Sequence, residues 1–196
     1  VNLYEEGIQN IDYMFSHTDA KLADRIVEEQ KRVQKAEARS TNYPSVAYEH
    51  GDMTVLIDGG IIGQSVIYRR AIELAEKATH ITFVSQYCPT GKLSRVLKKK
   101  KTTLYYNRPL QAEGLNRIVI RIGQFTSGLV TEYKKARYLH AKCIIFTFED
   151  GSKAAITGSH NFAYTGVLLG TREIALETRD PKIISQLETF IEKEVK

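Results

Sequence analysis

Two residues in an otherwise apolar stretch could do chemistry: His140 and Lys142 in Leu139-His140-Ala141-Lys142-Cys143-Ile144-Ile145-Phe146. On an extended strand side chains two apart share a face, so imidazole and ammonium are expected to project the same way, roughly 7 Å apart. A lone buried histidine is usually a satisfied core residue, but a buried lysine is rare unless paired or functional. Downstream, Gly158-Ser159-His160-Asn161 adds hydroxyl and amide groups in a turn expected to lead into a short helix with free backbone N–H groups. Imidazole, ammonium, hydroxyl and amide converging in this way suit an anionic phosphorus centre.

The elements that must position these groups follow from the pattern. Asn10-Ile11-Asp12-Tyr13-Met14-Phe15 reads as a strand, and Thr18 and Asp19 offer N-cap chemistry for a helix to about Arg39, with a narrow stripe of Leu22, Ile26 and Val33. Residues 40–51 have linker composition. From Asp52 strands alternate with helices: strand Met53 to Ile57, turn Asp58-Gly59-Gly60, helix Gln64 to Ala78, strand Ile81 to Ser85, basic helix Gly91 to Lys101 and strand Thr103 to Tyr106. Leu110 to Lys135 is ambiguous, because a β-branched run at 118–122 follows a helical-looking stretch. The strand bearing His140 turns at Asp150-Gly151 and returns through Ala154 to Thr157. Arg172 to Glu177 is a further strand, and Asp180 with Pro181 opens a terminal helix facing Ile184, Leu187 and Ile191 inward. This order predicts an α/β fold, a mixed β-sheet flanked by helices on both faces, in one lobe.

At 196 residues, 42% hydrophobic and 26% charged, the chain has the composition of a soluble globular protein with a sizeable core. A net charge of +5 and a sequence pI near 9.1 favour anionic partners: phosphodiesters, nucleic acid or acidic lipid surfaces. No apolar run approaches the ~20 residues that cross a bilayer, which excludes a spanning segment here and leaves peripheral membrane contact. Cys88 in a Tyr-Cys-Pro turn and Cys143 in the apolar stretch read as a reduced cytoplasmic pair rather than a disulfide.

His140-x-Lys142 followed by Gly158-Ser159-x-Asn161 resembles the signature of the phospholipase D superfamily, H-x-K on a strand followed by G-[SG]-x-N. Asp58-Gly59-Gly60, Arg70-Ala71-Ile72, Ser85-Gln86-Tyr87 with Pro89, and Thr171-Arg172-Glu173-Ile174 fall where that superfamily has corresponding elements, so the resemblance covers 52–196. It implies that His140 is the nucleophile at phosphorus or the acid on the leaving alcohol, and that Lys142 binds the non-bridging oxygens. Asn161 and Ser159 hold the developing charge, and Glu173 hydrogen-bonds the far imidazole nitrogen. It implies no metal and no cofactor. Tyr87 and His160 are expected to touch substrate. The family's H-x-K-x4-D departs at its last position, which is Thr147 here and which alternation along an unbroken strand places on the opposite face from His140.

The superfamily uses two such motifs, and only one H-x-K occurs in this chain. Val1-Asn2-Leu3-Tyr4 resembles the tail of a first G-G-x-N-L motif, with Asn2 its substrate-binding remnant and Asp12 where an acidic residue is usual. In cardiolipin synthase-like bacterial members a similar N-x-D-Y-M segment joins the halves. Residues 1–51 are therefore expected to be the end of a first half plus a linking helix, and 52–196 the second lobe. The activity implied is transfer or hydrolysis of a phosphodiester on phospholipids through a phosphohistidine, by a cytoplasmic protein peripheral at an anionic membrane, completed by a missing first-half lobe or a homodimer partner. Two other readings stand beside it: a metal-independent nuclease acting as a homodimer, with nucleic acid as partner, and a non-catalytic phosphate-binding module. Tyr105 and Tyr106 could stack bases in a nuclease, although aromatic core residues are the commoner case. The basic run of Lys92, Arg95 and Lys98 to Lys101 reads as a solvated helix end or as a contact for lipid headgroups.

Overall fold

A computed structural model describes residues 10–14, 16–38 and 41–196, without the side chains of residues 37 and 38. The remnant motif of Val1 to Tyr4, Asn2 included, lies outside the described residues. Among the described residues six α-helices, α1 (Ala20–Ala38), α2 (Val66–Lys77), α3 (Gly91–Leu97), α4 (Gly114–Ser127), α5 (Tyr164–Leu169) and α6 (Pro181–Phe190), accompany seven strands. The strands are β1 (Val46–His50), β2 (Met53–Gly59), β3 (His80–Val84), β4 (Lys101–Tyr105), β5 (Cys143–Thr147), β6 (Lys153–Gly158) and β7 (Arg172–Thr178). They form one mixed sheet in the order β1-β2-β7-β6-β5-β3-β4, in which β3 and β4 run parallel and every other pair antiparallel. This is the expected α/β architecture.

Both faces of the sheet are covered, which is why the central strands are apolar along their length rather than alternating. Ile67, Ala71 and Leu74 of α2 and Leu93 and Leu97 of α3 pack on one face with Phe83, Ile144 and Ile156. Leu22 of α1 and Ile183, Ile184 and Leu187 of α6 pack on the other with Val55, Ile57, Ile145 and Ala155. Local chemistry sets the helix starts: Asp19 Oδ1 accepts from Leu22 N at 3.0 Å, Ser65 Oγ from Tyr68 N at 2.9 Å, and Asp180 Oδ1 from Lys182 N at 2.8 Å.

Three expectations change and one open reading is settled. Residues 41–51 are no linker, because β1 pairs with β2 from Val46↔Ile57 to His50↔Met53. Tyr48 of β1 hydrogen-bonds Glu29 of α1 through its hydroxyl, and the Arg25 guanidinium lies 4.1 Å from its ring centroid, so α1 clasps this edge strand. The expected strand near Asn10 is a single parallel bridge, Ile11 with Leu139. Helix α3 ends at Leu97, and the lysine run turns into β4 instead of prolonging the helix. The ambiguous region is helix α4, closed by Gly128 in the left-handed conformation (φ 61°), whose N–H reaches Gln124 O.

Candidate active site

A cleft of about 490 Å³ opens at the sheet edge where β3 ends, β5 begins and β6 ends; Asp12, Gln86, His140, Lys142, Ser159 and Asn161 contribute to its walls. His140 and Lys142 do not belong to β5. They sit on the irregular approach to it, and Cys143 is the first residue of the strand. The two still share the cleft, because backbone hydrogen bonds to the segment around Ile11 shape this approach in place of a neighbouring strand. Ile11 N donates to Tyr138 O at 2.8 Å, while His140 N and Ala141 N donate to Ile11 O at 2.9 and 3.0 Å. Buried Asn107 pins the other side, its amide accepting from Leu139 N and donating to Leu139 O, both at 2.8 Å.

This zippering delivers Asp12 to His140: Oδ2 lies 2.8 Å from Nδ1. Burial pushes the Asp12 carboxyl upward, but the His140 ring and the Tyr13 backbone N–H donate to it. Together with the charges of His140 and Lys142 they hold it below its ordinary value. An ionised carboxylate can only accept, so Nδ1 carries a proton, and the neutral tautomer this pairing selects has its lone pair on Nε2. The partner expected from the sequence was Glu173, and the structure corrects that assignment. Glu173 accepts instead from the Ser159 hydroxyl, and Ser159 Oγ in turn accepts from Ile174 N at 3.0 Å. Glu173 still adds negative potential at Lys142.

Lys142 is buried, with its Nζ donating to His140 O at 2.7 Å. Burial pulls the ammonium down to about 8, against the opposing pull of Asp12 and Glu173. Its backbone carbonyl lies 3.1 Å from the Tyr13 hydroxyl and 3.2 Å from that of Thr157, and the two hydroxyls hydrogen-bond each other, so one donates to the carbonyl and the other to its neighbour. The Tyr13 ring meets Phe190 at 4.8 Å, edge to face, which anchors the Asp12 segment on α6.

The Gly158 to Phe162 turn supplies the last groups. A Cβ on Gly158 would lie 2.2 Å from Ile174 O, so only glycine allows β7 to approach here. Ser85, at the end of β3, donates its hydroxyl to Asn161 O at 3.0 Å and aims the Asn161 amide at the cleft. Asn161 Oδ1 is buried with no hydrogen-bond partner among the described residues, an unsatisfied polar atom of the kind a ligand completes. Turned about its amide bond, the same side chain presents an N–H2 donor. Phe162 takes a positive φ of 54°, and its buried ring against Phe83 offsets the strain.

Two expected contact residues point elsewhere. His160 is buried among Tyr68 and Phe162, and its Nδ1 accepts from Phe162 N at 2.8 Å; burial pulls its imidazole down to about 4, so it is a neutral brace of the turn. Tyr87 turns from the cleft to donate to Asn116 Oδ1 at 2.7 Å, and the adjacent Gln86 lines the wall instead. Thr147 lies at the far end of β5, paired with His80 and Lys153, remote from the approach that carries His140. Tyr105 and Tyr106 are core residues, and Cys88 and Cys143 are free and buried. Asp12 as the imidazole partner and Gln86 as a wall had no spacing signal; the Asp-Tyr pair, placed where the superfamily resemblance expects an acid, was the available hint.

A second groove of about 330 Å³, mainly apolar, adjoins the cleft and shares Thr157, Gly158 and Ile174 with it; Leu22, Ile26 and Leu176 extend it between α1 and the sheet. No group of three or more His, Cys, Asp or Glu among the described residues could hold a metal ion, and no described helix is long and apolar enough to cross a membrane.

No protein-family model and no curated protein matches the chain. It is similar to solved structures. One is the phospholipase D family member Nuc from Salmonella typhimurium, with 18% identity and a TM-score of 0.48 over 72% of this chain and 92% of that one. Another is the polyphosphate kinase of Porphyromonas gingivalis, with 14% identity and a TM-score of 0.48 over 74% of this chain and 26% of that one. The phosphatidylserine synthase of Haemophilus influenzae Rd KW20 is similar at 12% identity and a TM-score of 0.46, over 83% of this chain and 41% of that one. The chain thus spans about a quarter of the polyphosphate kinase.

Proposed function

We propose that this chain is a lobe of a phospholipase D-superfamily enzyme that transfers or hydrolyses a phosphodiester through a phosphohistidine on His140. The observation that carries the reading is the Asp12–His140 pair, which leaves a lone pair on Nε2 of a ring that lines the same cleft as the buried Lys142. The Nε2 lone pair attacks phosphorus, an N–P bond forms and the bond to the leaving alcohol breaks. Asp12 stabilises the imidazolium character that develops on the ring, while Lys142 and a donor from Asn161 hold charge on the phosphoryl oxygens. An alcohol or water then attacks the same phosphorus, gives its proton to the group that protonated the leaving alcohol, and the N–P bond breaks to release His140. The acid that protonates the first leaving group is assigned to a second imidazole outside the described residues, from a companion lobe or a second copy.

Phospholipid is the substrate class favoured, because the apolar groove of Leu22, Ile26, Ile174 and Leu176 leads directly off the cleft and suits hydrocarbon better than a sugar-phosphate backbone. A cardiolipin synthase-like phosphatidyl transfer is the specific reaction proposed. The test is mass spectrometry of the full-length protein after denaturant quenching at neutral to mildly alkaline pH, where an N–P bond survives, with phosphatidylglycerol vesicles as substrate. A phosphoryl adduct on His140, lost in His140→Ala together with turnover, is expected. Undiminished turnover by His140→Ala sinks the mechanism, and cleavage of DNA in the presence of EDTA without attack on lipid sinks the substrate class.

A further inference from the structure

Helix α4 turns its apolar side outward. Leu115 is 80% exposed and Phe125 89%, and Ile118, Val119 and Ile122 between them are exposed as well. At about 100° per residue these five side chains fall within an arc of roughly 120°, whose centre is about 130° around the helix from the side that Ile120, Gly123 and Ser127 bury. Exposed Leu110 and Val130 continue the apolar character beyond both ends. Single exposed apolar residues are ordinary, but seven within one helix and its flanks are not.

Charge identifies what covers this face. The Gly114–Ser127 segment contains Arg117 and Arg121 and no acidic residue, and both arginines flank the apolar arc on one side. Arg117 is steadied by a carbonyl, its Nε donating to Ala112 O at 2.8 Å, and among the described residues no carboxylate pairs with it. At the other end of the helix, the Lys98 ammonium would lie 3.2 Å from a Cβ on Gly128, which brings the basic run after α3 to the C-terminus of α4. A large apolar arc bordered by cations matches an anionic bilayer surface, where side chains enter the acyl boundary and arginines meet headgroups. A protein partner of this net-positive chain would have to supply both an apolar groove and a surplus of acids.

We infer that α4 docks this chain onto an anionic lipid surface, lying flat in the interface with Leu115, Ile118, Ile122 and Phe125 inserted. Its place in the fold gives the docking a use. The hydrogen bond from Tyr87 to Asn116 ties the start of α4 to the loop after β3, one residue from Gln86 in the cleft wall. Docking through α4 therefore presents the cleft beside the headgroup layer. Binding needs no turnover, so it stands apart from the proposed chemistry.

The experiment is sedimentation of the full chain with vesicles of phosphatidylcholine, with and without phosphatidylglycerol. Co-sedimentation with the anionic vesicles, release by salt, and no binding to phosphatidylcholine alone are expected. Phe125→Asp and Ile122→Asp should each weaken binding about tenfold or more, the worth of one large apolar side chain, and Arg117→Glu with Arg121→Glu about fivefold per arginine. Circular dichroism and the unfolding midpoint check each variant, and the arginine pair with the salt series keeps the test open should an aspartate variant fail to fold. Failure of the chain to bind anionic vesicles overturns the inference, as does undiminished binding by folded variants. So does sedimentation velocity showing a dimer that Phe125→Asp converts to monomer, for the face is then covered by a second copy.

Discussion

Asp12 Oδ2 and His140 Nδ1 lie 2.8 Å apart across 128 residues of sequence. The pair selects which imidazole nitrogen is left for the cleft, and replacing the carboxylate by an amide keeps the shape while removing the charge that selects it. Asp12→Asn is expected to lower kcat by about 10³- to 10⁴-fold, the scale seen when a carboxylate that orients a catalytic imidazole becomes an amide. KM should change little, because Asp12 does not hold the phosphoryl oxygens. A steady-state comparison with folded wild type measures the split; a variant with raised KM and unchanged kcat contradicts the role.

Lys142, drawn down to about 8 by burial, gives the reaction a basic limb. On the proposed mechanism its ammonium holds the phosphoryl oxygens only while protonated, so kcat/KM should fall as pH rises through about 8. Bound phosphate, being anionic, should move that limb upward in kcat. Stability should run the other way. The unfolded lysine titrates near 10.5 and the folded one near 8, so between these values the unfolded chain holds more protons and folding gains with pH. Lys142→Arg should remove the limb, and Lys142→Met should cost about 10²- to 10³-fold in kcat. pH–rate profiles paired with denaturant midpoints test both directions.

His160 gives stability an acid dependence of its own. Its folded value near 4 lies below the ordinary 6.5, so between these values the unfolded chain binds the extra proton. The contribution is full above about 6.5, on the order of 3 kcal/mol, and drains away as pH falls toward 4. His160→Asn retains an acceptor for Phe162 N and loses the titration. Urea midpoints across this window should slope for the wild type and flatten for the variant.

Arg70 meets Glu177 with two hydrogen bonds, Nε to Oε2 at 2.8 Å and Nη2 to Oε1 at 2.7 Å, binding α2 to β7 through a buried carboxylate. Removing the cation alone strands that carboxylate. Arg70→Met is expected to cost about 3 kcal/mol, and the double change with Glu177→Gln should recover much of it. Thermal unfolding of the four proteins in this cycle gives the coupling; additive losses would show that the two residues act separately.

Elements specified by neighbours in sequence were legible. The Asp180-Pro181 start of α6, the Asp-Gly hairpin after β5 and the apolar face of α2 each depend on a few adjacent residues, and all stand as expected. His140, Lys142, Ser159 and Asn161 were legible as a set because their types are costly in an apolar setting, and the structure does bring them to one cleft. What escaped depends on distant contacts. Alternation placed His140 and Lys142 on a strand, whereas backbone bonds from Ile11 shape that approach. Glu173 was a plausible partner by order along the chain, yet Ser159 occupies it and Asp12 arrives from the other end. The β-branched run at 118–122 reads equally as a strand, and only the burial of Ile120 against the body, with the Gly128 stop, makes it a helix.

The zipper of Ile11 against Tyr138 to Ala141 has a kinetic consequence. It closes a loop from Ile11 to Tyr138 that contains β1 to β4, with β5 to β7 following in the chain, so its loop-closure entropy is offset only after those four strands have condensed with the rest of the sheet. In a refolding chain the strands should return first, and the Asp12–His140 pair should assemble last.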